Sequence, residues 1–205
     1  MRPPIILMGI LTSAYVFELL LSVSARGVIP TPYFHSGLVF QLSLLFGSVM
    51  YIRKKEFSLS FKNVSRENIW DVLFLFILTI IFIFFIRFFV GHTVLSSISL
   101  VSVSALSMLV SILLAPITEE VFFRGLLLSE LGDASLSSEN AVILSSLLFA
   151  GGHIFSLFDQ PDIYTGLLSL FFVFVSGLLF AKVYVLTNNI FIPMATHSLY
   201  NLLVI

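Results

Sequence analysis

Residues 69–90 have the sequence IWDVLFLFILTIIFIFFIRFFV, in which Asp71 and Arg87 are the only charged side chains. A helix that crosses a lipid bilayer needs about 20 consecutive and mostly apolar residues. This stretch therefore predicts a membrane-spanning helix, and it sets the frame in which the rest of the chain is interpreted.

The composition extends this prediction to the whole chain. Apolar residues make up 59% of the 205 residues and charged residues only 10%, whereas a soluble domain carries about 25% charged residues. So few charged side chains would leave most of a soluble globule's surface apolar, and we therefore expect an integral membrane protein. The net charge of −1 argues against a nucleic-acid partner, and the lack of cysteine excludes disulfides, thiolate metal sites and cysteine nucleophiles.

Further apolar runs flank residues 69–90 on both sides. Together they predict an all-α fold, a polytopic transmembrane bundle of seven to eight membrane helices with a polar intramembrane cavity, in a single domain over residues 1–205. The count depends on the charged run 117–131, which either re-enters the membrane as a short helix or extends the preceding span. The other runs cover approximately 5–24, 36–52, 94–115, 140–158, 163–186 and 189–205.

The polar stretch 53–68 indicates the orientation of the chain. It holds half of the ten basic residues, and cytoplasmic loops of membrane proteins are enriched in Lys and Arg. We therefore expect a multi-pass protein of the cell membrane whose N-terminus and 53–68 loop are cytoplasmic. The basic residues are Arg53, Lys54, Lys55, Lys62 and Arg66.

One cluster of ionisable residues follows Pro116. Charged side chains are costly inside hydrocarbon, so they are functional candidates there. Pro116 and Thr118 suit the start of a helix. Glu120 and Arg124 are spaced for an i,i+4 ion pair, while Glu119 points about 100° away and is expected to face a polar cavity. The alternative is a set of charges that only locks helices together.

Two more polar clusters lie further along the chain. Gly151 and Gly152 leave room beside His153 for a water molecule or an extended peptide. His197 and Asn201 share a helix face and together can donate two hydrogen bonds toward one point, as an oxyanion site requires. Each cluster could instead join helices, but together they supply the groups that activate a water and attack an amide bond.

Three ordered motifs resemble the CPBP family, which includes CAAX prenyl endopeptidases and bacteriocin-processing or immunity-associated proteins. They are Glu-Glu-x-x-x-Arg at 119–124, Phe-x-x-x-His at 149–153 and His-x-x-x-Asn at 197–201. The resemblance covers about residues 95–205. It implies an intramembrane protease of the glutamic type, with about eight helices, that cleaves a membrane-tethered protein or peptide at or near the bilayer surface.

The resemblance also implies a role for each matched residue. Glu119 and His153 would activate the nucleophilic water as catalytic residues. His197 and Asn201 would stabilise the tetrahedral oxyanion. The supporting residues would be Glu120 and Arg124.

An older view of the family as zinc-dependent gives an alternative. Glu119, His153 and His197 would supply three ligands, with a water as the fourth. The His-Glu-x-x-His pattern of zinc proteases is absent from the sequence, and a mechanism without a cofactor is favoured.

Substrate and activity leave further alternatives. CAAX-processing members often have asparagine after the paired glutamates, where this chain has Val121, which argues against prenylated CAAX substrates. A non-catalytic immunity or scaffold protein that binds a membrane peptide or a transporter partner is the second interpretation. A small transporter with a proton relay is the third, although the chain lacks inverted, Gly/Pro-broken repeat halves.

Overall fold

The computed structural model describes residues 5–14, 16, 32–55, 59–60, 62, 65, 68–89, 109–154, 157 and 162–204. The regular elements in these ranges are helices, which confirms the all-α fold class. In chain order they are α1 (Ile5–Ala14), α2 (Pro32–Lys55), α3 (Ile69–Phe89), α4 (the consecutive segments Val110–Leu114, Ala115–Glu120, Val121–Leu128 and Ser129–Asp133), α5 (Ser138–Gly151), α6 (Ile163–Thr187) and α7 (Phe191–Val204).

The helices differ in how well they suit a membrane. Among the residues described, α6 is the one helix that is long and apolar enough to cross a bilayer. Helix α3 turns large apolar side chains outward, including Trp70, Phe74 and Phe84. These exposed side chains suit contact with lipid. The number of spans stays a prediction.

Helix α4 is one continuous helix that alternates between π and α hydrogen bonding. The backbone at the junction residues Leu114, Glu120 and Leu128 is right-handed helical, so the axis is not interrupted. The prediction that a helix begins at Pro116 and Thr118 is therefore wrong. Residues 117–131 extend the helix that contains Val110, which is the second of the two alternatives predicted from the sequence. π segments are rare and occur frequently at functional sites.

Helix α5 ends earlier than the apolar run 140–158 suggests. Its last residue is Gly151, and the backbone N–H of His153 bonds to the oxygen of Ala150 at 2.9 Å. Two consecutive glycines favour this ending because glycine is a poor helix former. His153 consequently lies in the turn after α5 and not within the helix.

Helices α5 and α6 approach closely at Gly177. A Cβ atom at this position would lie 3.1 Å from a ring carbon of Phe149 and 3.3 Å from Cβ of Ser146. The missing side chain therefore allows the two backbones to pack together. It also leaves the Gly177 carbonyl accessible to a side chain from α4.

The described part of the basic loop lies against the turn between α6 and α7. The N–H of Ile190 donates to the oxygen of Ser60 at 3.0 Å, and the N–H of Lys62 donates to the oxygen of Asn188 at 3.3 Å. Asn188 ends α6 in the left-handed conformation, with φ of 46°. Asparagine is one of the few residues that adopts this conformation readily. These bonds place the α2–α3 and α6–α7 connections at the same end of the bundle.

Helix α2 is joined to α4 near this end by a buried polar pair. The hydroxyl of Tyr51 donates to the carboxylate of Glu130, and both residues are buried. Around this pair, side chains from several helices form one apolar core. Its fully enclosed members include Leu7, Leu44, Phe122, Leu126, Leu127, Ala181 and Ile190.

Candidate active site

A buried ion pair forms the base of the site. Nη1 of Arg124 lies 3.0 Å from Oε1 of Glu120, and Nη2 donates to the Gly177 oxygen at 3.0 Å. Both charged side chains are fully buried, and the Arg124 guanidinium lies 4.3 Å from the centroid of Phe149. This confirms the i,i+4 pair predicted from the sequence. A charge buried this deeply requires such partners.

His197 is held by the same carboxylate. Its Nδ1 lies 2.9 Å from Oε1 of Glu120, and its ring stacks on Phe180 with centroids 4.7 Å apart and an interplanar angle of 19°. A carboxylate oxygen can only accept, so Nδ1 carries a proton. The other ring nitrogen, Nε2, faces Oε2 of Glu119 at 3.9 Å. His197 therefore lies between the two glutamates.

Glu119 is buried and receives a hydrogen bond from α2. The side-chain Nε2 of Gln41 donates to Oε1 of Glu119, and Oε1 of Gln41 accepts from the Thr118 hydroxyl. As expected, the two glutamates have different partners. Gln41 is not among the residues predicted for the site, since its amide is neutral and the candidates are mainly ionisable. Its signal in the sequence is a lone amide inside the apolar run 36–52.

His153 borders this cluster through an aromatic ring. Its Nδ1 lies 3.0 Å from the backbone oxygen of Phe149, so this nitrogen also carries a proton and Nε2 of the neutral ring is an acceptor. The Phe149 ring contacts both imidazoles, at centroid distances of 5.0 Å to His153 and 5.8 Å to His197. The two histidines thus lie on either side of one phenylalanine.

Asn201 faces α4 one turn beyond His197, as the shared helix face predicts. Its Nδ2 donates to the backbone oxygen of Ser111 at 2.7 Å. One of its two N–H groups is therefore used in joining α7 to α4. The structure brings His197 to the glutamates, whereas the Asn201 amide bonds to the α4 backbone at Ser111, eight residues before Glu119.

The charges of the cluster nearly balance. Glu119, Glu120 and Arg124 sum to one negative charge, so a protonated His197 makes the group neutral. Within the described part of the chain, Oε2 of Glu120 and Nε of Arg124 are buried without a hydrogen-bond partner.

The zinc alternative requires three ligands around one point. The residues described contain no group of three His, Cys, Asp or Glu side chains that could hold a metal ion. Nε2 of His197 lies 3.9 Å from Oε2 of Glu119, and Nδ1 of His153 bonds to a backbone carbonyl. A mechanism without a metal stays a prediction.

Residues 101–203 match the family model described as Rce1-like, type II CAAX prenyl endopeptidase. This match covers half of the chain and includes every candidate residue from Glu119 to Asn201, while Gln41 lies outside it. Comparison with curated proteins and with solved structures gave no match.

Proposed function

The chain belongs to the Rce1-like family of type II CAAX prenyl endopeptidases and is thus a peptide hydrolase, and from this premise we propose a glutamic, metal-free intramembrane mechanism. The substrate is a membrane-tethered protein or peptide. One observation carries the proposal: Glu119 and His197 face each other across 3.9 Å, and each is held from behind by a buried partner.

The gap between these two side chains suits a water molecule. A water bonded to both Oε2 of Glu119 and Nε2 of His197 at about 2.8 Å would subtend an angle of about 90°, which a water molecule accommodates. Glu119 takes one proton from this water, and the resulting hydroxide attacks the carbonyl carbon of the scissile bond. Glu119 then gives the proton to the leaving nitrogen as the carbon–nitrogen bond breaks.

His197 and Asn201 stabilise the oxyanion of the tetrahedral intermediate. Because Nδ1 of His197 already donates to Glu120, Nε2 donates only when the ring carries its second proton. Asn201 contributes its second N–H, since the first is bonded to Ser111.

His153 assists in activating the water. Its bond to the Phe149 oxygen fixes the tautomer whose Nε2 is an acceptor, which is the form that can share a proton with the water. Glu120 and Arg124 do not touch the substrate in this mechanism. They orient the His197 ring and fix the position of α6 through Gly177.

The family consists of membrane proteins, and we propose that the chain is multi-pass with its basic 53–68 loop in the cytoplasm. The α6–α7 turn would then lie on the same side, because Ser60 and Lys62 bond to it. Because Val121 replaces the asparagine common among CAAX-processing members, we propose tethered substrates other than prenylated CAAX proteins.

Glu119→Gln tests the proposal in native cells. Protein termini in the membrane fraction are mapped by mass spectrometry in cells that carry wild type or the variant at equal expression. We expect a precursor to accumulate with Glu119→Gln only, because glutamine cannot take the proton of the water. The matched control is Glu139→Gln, the same chemical change at an exposed position on α5.

Two results would contradict the proposal. An identical set of termini in wild type and Glu119→Gln would exclude hydrolysis at this site and favour the non-catalytic binding protein. A precursor that accumulates equally with Glu139→Gln would trace the effect to assembly of the protein and not to its chemistry.

A further inference from the structure

Gln41 is the one described residue of α2 that bonds to the proposed base. It is only 6% exposed, and burying an amide is costly unless its hydrogen bonds are made. Both ends of this amide are bonded, the nitrogen to Glu119 and the oxygen to Thr118. The N-terminal half of the chain, outside the matched residues 101–203, therefore contributes to the site.

The Thr118 hydroxyl has one proton and more than one acceptor. Besides Oε1 of Gln41, the backbone oxygens of Leu114 and Ala115 lie 2.9 and 3.1 Å from Oγ1. Only one of these acceptors can receive the proton at a time. The hydroxyl can thus donate either across to α2 or back along its own helix.

Each of these two directions of the Thr118 hydrogen bond suits one protonation state of Glu119. When Thr118 donates to Gln41, the amide nitrogen points at Glu119 and bonds to the ionised carboxylate. When Thr118 donates to Leu114, its oxygen can accept from a reversed Gln41 amide. The amide oxygen then faces Glu119 and accepts from the protonated carboxyl. The two ends of a glutamine amide have nearly the same shape, so the reversal needs no extra space.

We propose that Gln41 is a positioning residue that holds Glu119 in both protonation states, by reversing its amide as Glu119 takes up and releases the proton. This inference rests on the proposed role of Glu119 as the base. The proton that enters Glu119 comes from the water and leaves on the amine product. Gln41 and Thr118 keep the protons they began with, and only the direction of their hydrogen bonds changes.

Glutamine suits this position better than its nearest replacements. Glutamate has the same length but cannot donate to an ionised Glu119. Methionine has a similar shape and makes neither bond. Either substitution would leave Glu119 free to turn away from His197, while neither removes a group that touches the substrate.

The first test compares processing rates of the precursor that accumulates with Glu119→Gln. Pulse–chase in cells with matched expression is expected to show Gln41→Met about 10- to 100-fold slower than wild type, the usual range for losing a hydrogen bond to a charged group. Thr118→Val is expected to be slowed as well, and Thr118→Ser should retain more activity than Thr118→Val. For the purified protein in vesicles, kcat falls while KM is unchanged.

Ser48→Ala is the matched control. Ser48 is buried in the same helix, and its hydroxyl has no hydrogen-bond partner among the described residues, so its loss is expected to leave the rate unchanged. A second measurement does not depend on activity. Thermal unfolding of wild type, Gln41→Met, Glu119→Gln and the double variant in detergent is expected to show non-additive shifts, because the two side chains bond to each other.

The outcomes separate this inference from the proposed function. Processing that is lost with Glu119→Gln but retained with Gln41→Met would overturn the positioning role. Additive unfolding shifts would also overturn it, since they would show that the two residues do not interact. Non-additive shifts without any precursor in Glu119→Gln cells would instead overturn the proposed function while leaving the contact established.

Discussion

The side-chain amide of Asn201 donates a 2.7 Å hydrogen bond to the backbone oxygen of Ser111. This carbonyl is accessible because of the proline five residues later. In the π segment the N–H of Ala115 bonds to the oxygen of Val110. The same pattern one residue on would join residue 116 to Ser111, but Pro116 has no N–H. Asn201 supplies the donor that the proline lacks.

Asn201→Ala is expected to destabilise the protein by about 0.5–1.5 kcal/mol, the usual net contribution of one hydrogen bond, here a half-buried one. Pro116→Ala restores an N–H at residue 116 and should reduce that cost in the double variant. Chemical or thermal unfolding in detergent, combined as a double-mutant cycle, measures the difference. Asn140→Ala, at an exposed position on α5, serves as the control.

The same pair of variants tests the role of Asn201 in the reaction. If Asn201 also donates to the oxyanion, the double variant regains stability but not processing activity. Recovery of both properties would show that Asn201 only joins the two helices. Equal stability losses with and without Pro116 would contradict the proposed link between the proline and the Ser111 carbonyl.

Arg124→Leu is expected to cost about 3–5 kcal/mol of stability, because it leaves Glu120 buried without its counter-charge. Adding Glu120→Gln removes the stranded charge and should recover part of that loss. Activity should stay low in the double variant, because Glu120 also orients His197. Unfolding in detergent and precursor accumulation in cells measure the two effects. A double variant no more stable than Arg124→Leu would argue against the ion pair.

Gly177→Ala is expected to destabilise the packing of α5 on α6 by about 1–3 kcal/mol, as overpacking commonly does. The added methyl group would press on Phe149 and Ser146. The displacement would also disturb the Gly177 carbonyl that accepts from Arg124. Gly132→Ala is the control, because a Cβ there meets nothing within 4 Å. Equal melting temperatures for the two variants would show that the α5–α6 contact can relax.

Asp162 makes the start of α6 sensitive to pH. Its carboxylate accepts from the N–H of Thr165 at 2.9 Å and from the Thr165 hydroxyl at 2.8 Å. These bonds, first the backbone one and then that of the hydroxyl, hold the pKa of Asp162 below its usual range. Because the pKa is lower in the folded state, the cap stabilises the helix above the ordinary pKa. That contribution is lost as the pH falls through the lowered value.

Asp162→Asn keeps a capping oxygen but no longer titrates. The melting temperature of wild type is therefore expected to fall more steeply on acidification than that of Asp162→Asn. Thermal unfolding of both proteins across the acidic range provides the measurement. Parallel curves would show that the ionisation of Asp162 does not contribute to stability.

The all-α fold class and the ion pair between Glu120 and Arg124 could be predicted because both follow from local sequence patterns. Runs of apolar residues gave the helices, and the four-residue spacing of Glu120 and Arg124 gave their contact. His197 and Asn201 share a face that contacts α4 for the same reason. In each case the two residues belong to one helix, and their spacing places them on the same face of it.

The features that sequence patterns missed depend on hydrogen-bond geometry or on distant contacts. Pro116 usually marks a helix start, but π bonding lets the helix continue through it. The Gly151-Gly152 pair ended α5 before His153, which no apolar run reveals. Gln41 is separated by 78 residues from Glu119, and only the packing of α2 on α4 brings the two together.

The π segment Val121–Leu128 also sets the rotational phase of α4. On one side of it Glu119 and Glu120 face the proposed reaction centre, and beyond it Glu130 faces Tyr51. Deleting a single residue between them would turn one half of the helix by about 100° relative to the other. The helix could then not hold the two glutamates at the reaction centre and also keep the hydrogen bond between Glu130 and Tyr51. The length of this eight-residue stretch is thus as constrained as its chemistry, and insertions or deletions there should be tolerated far less than in the connection 134–137 that follows α4.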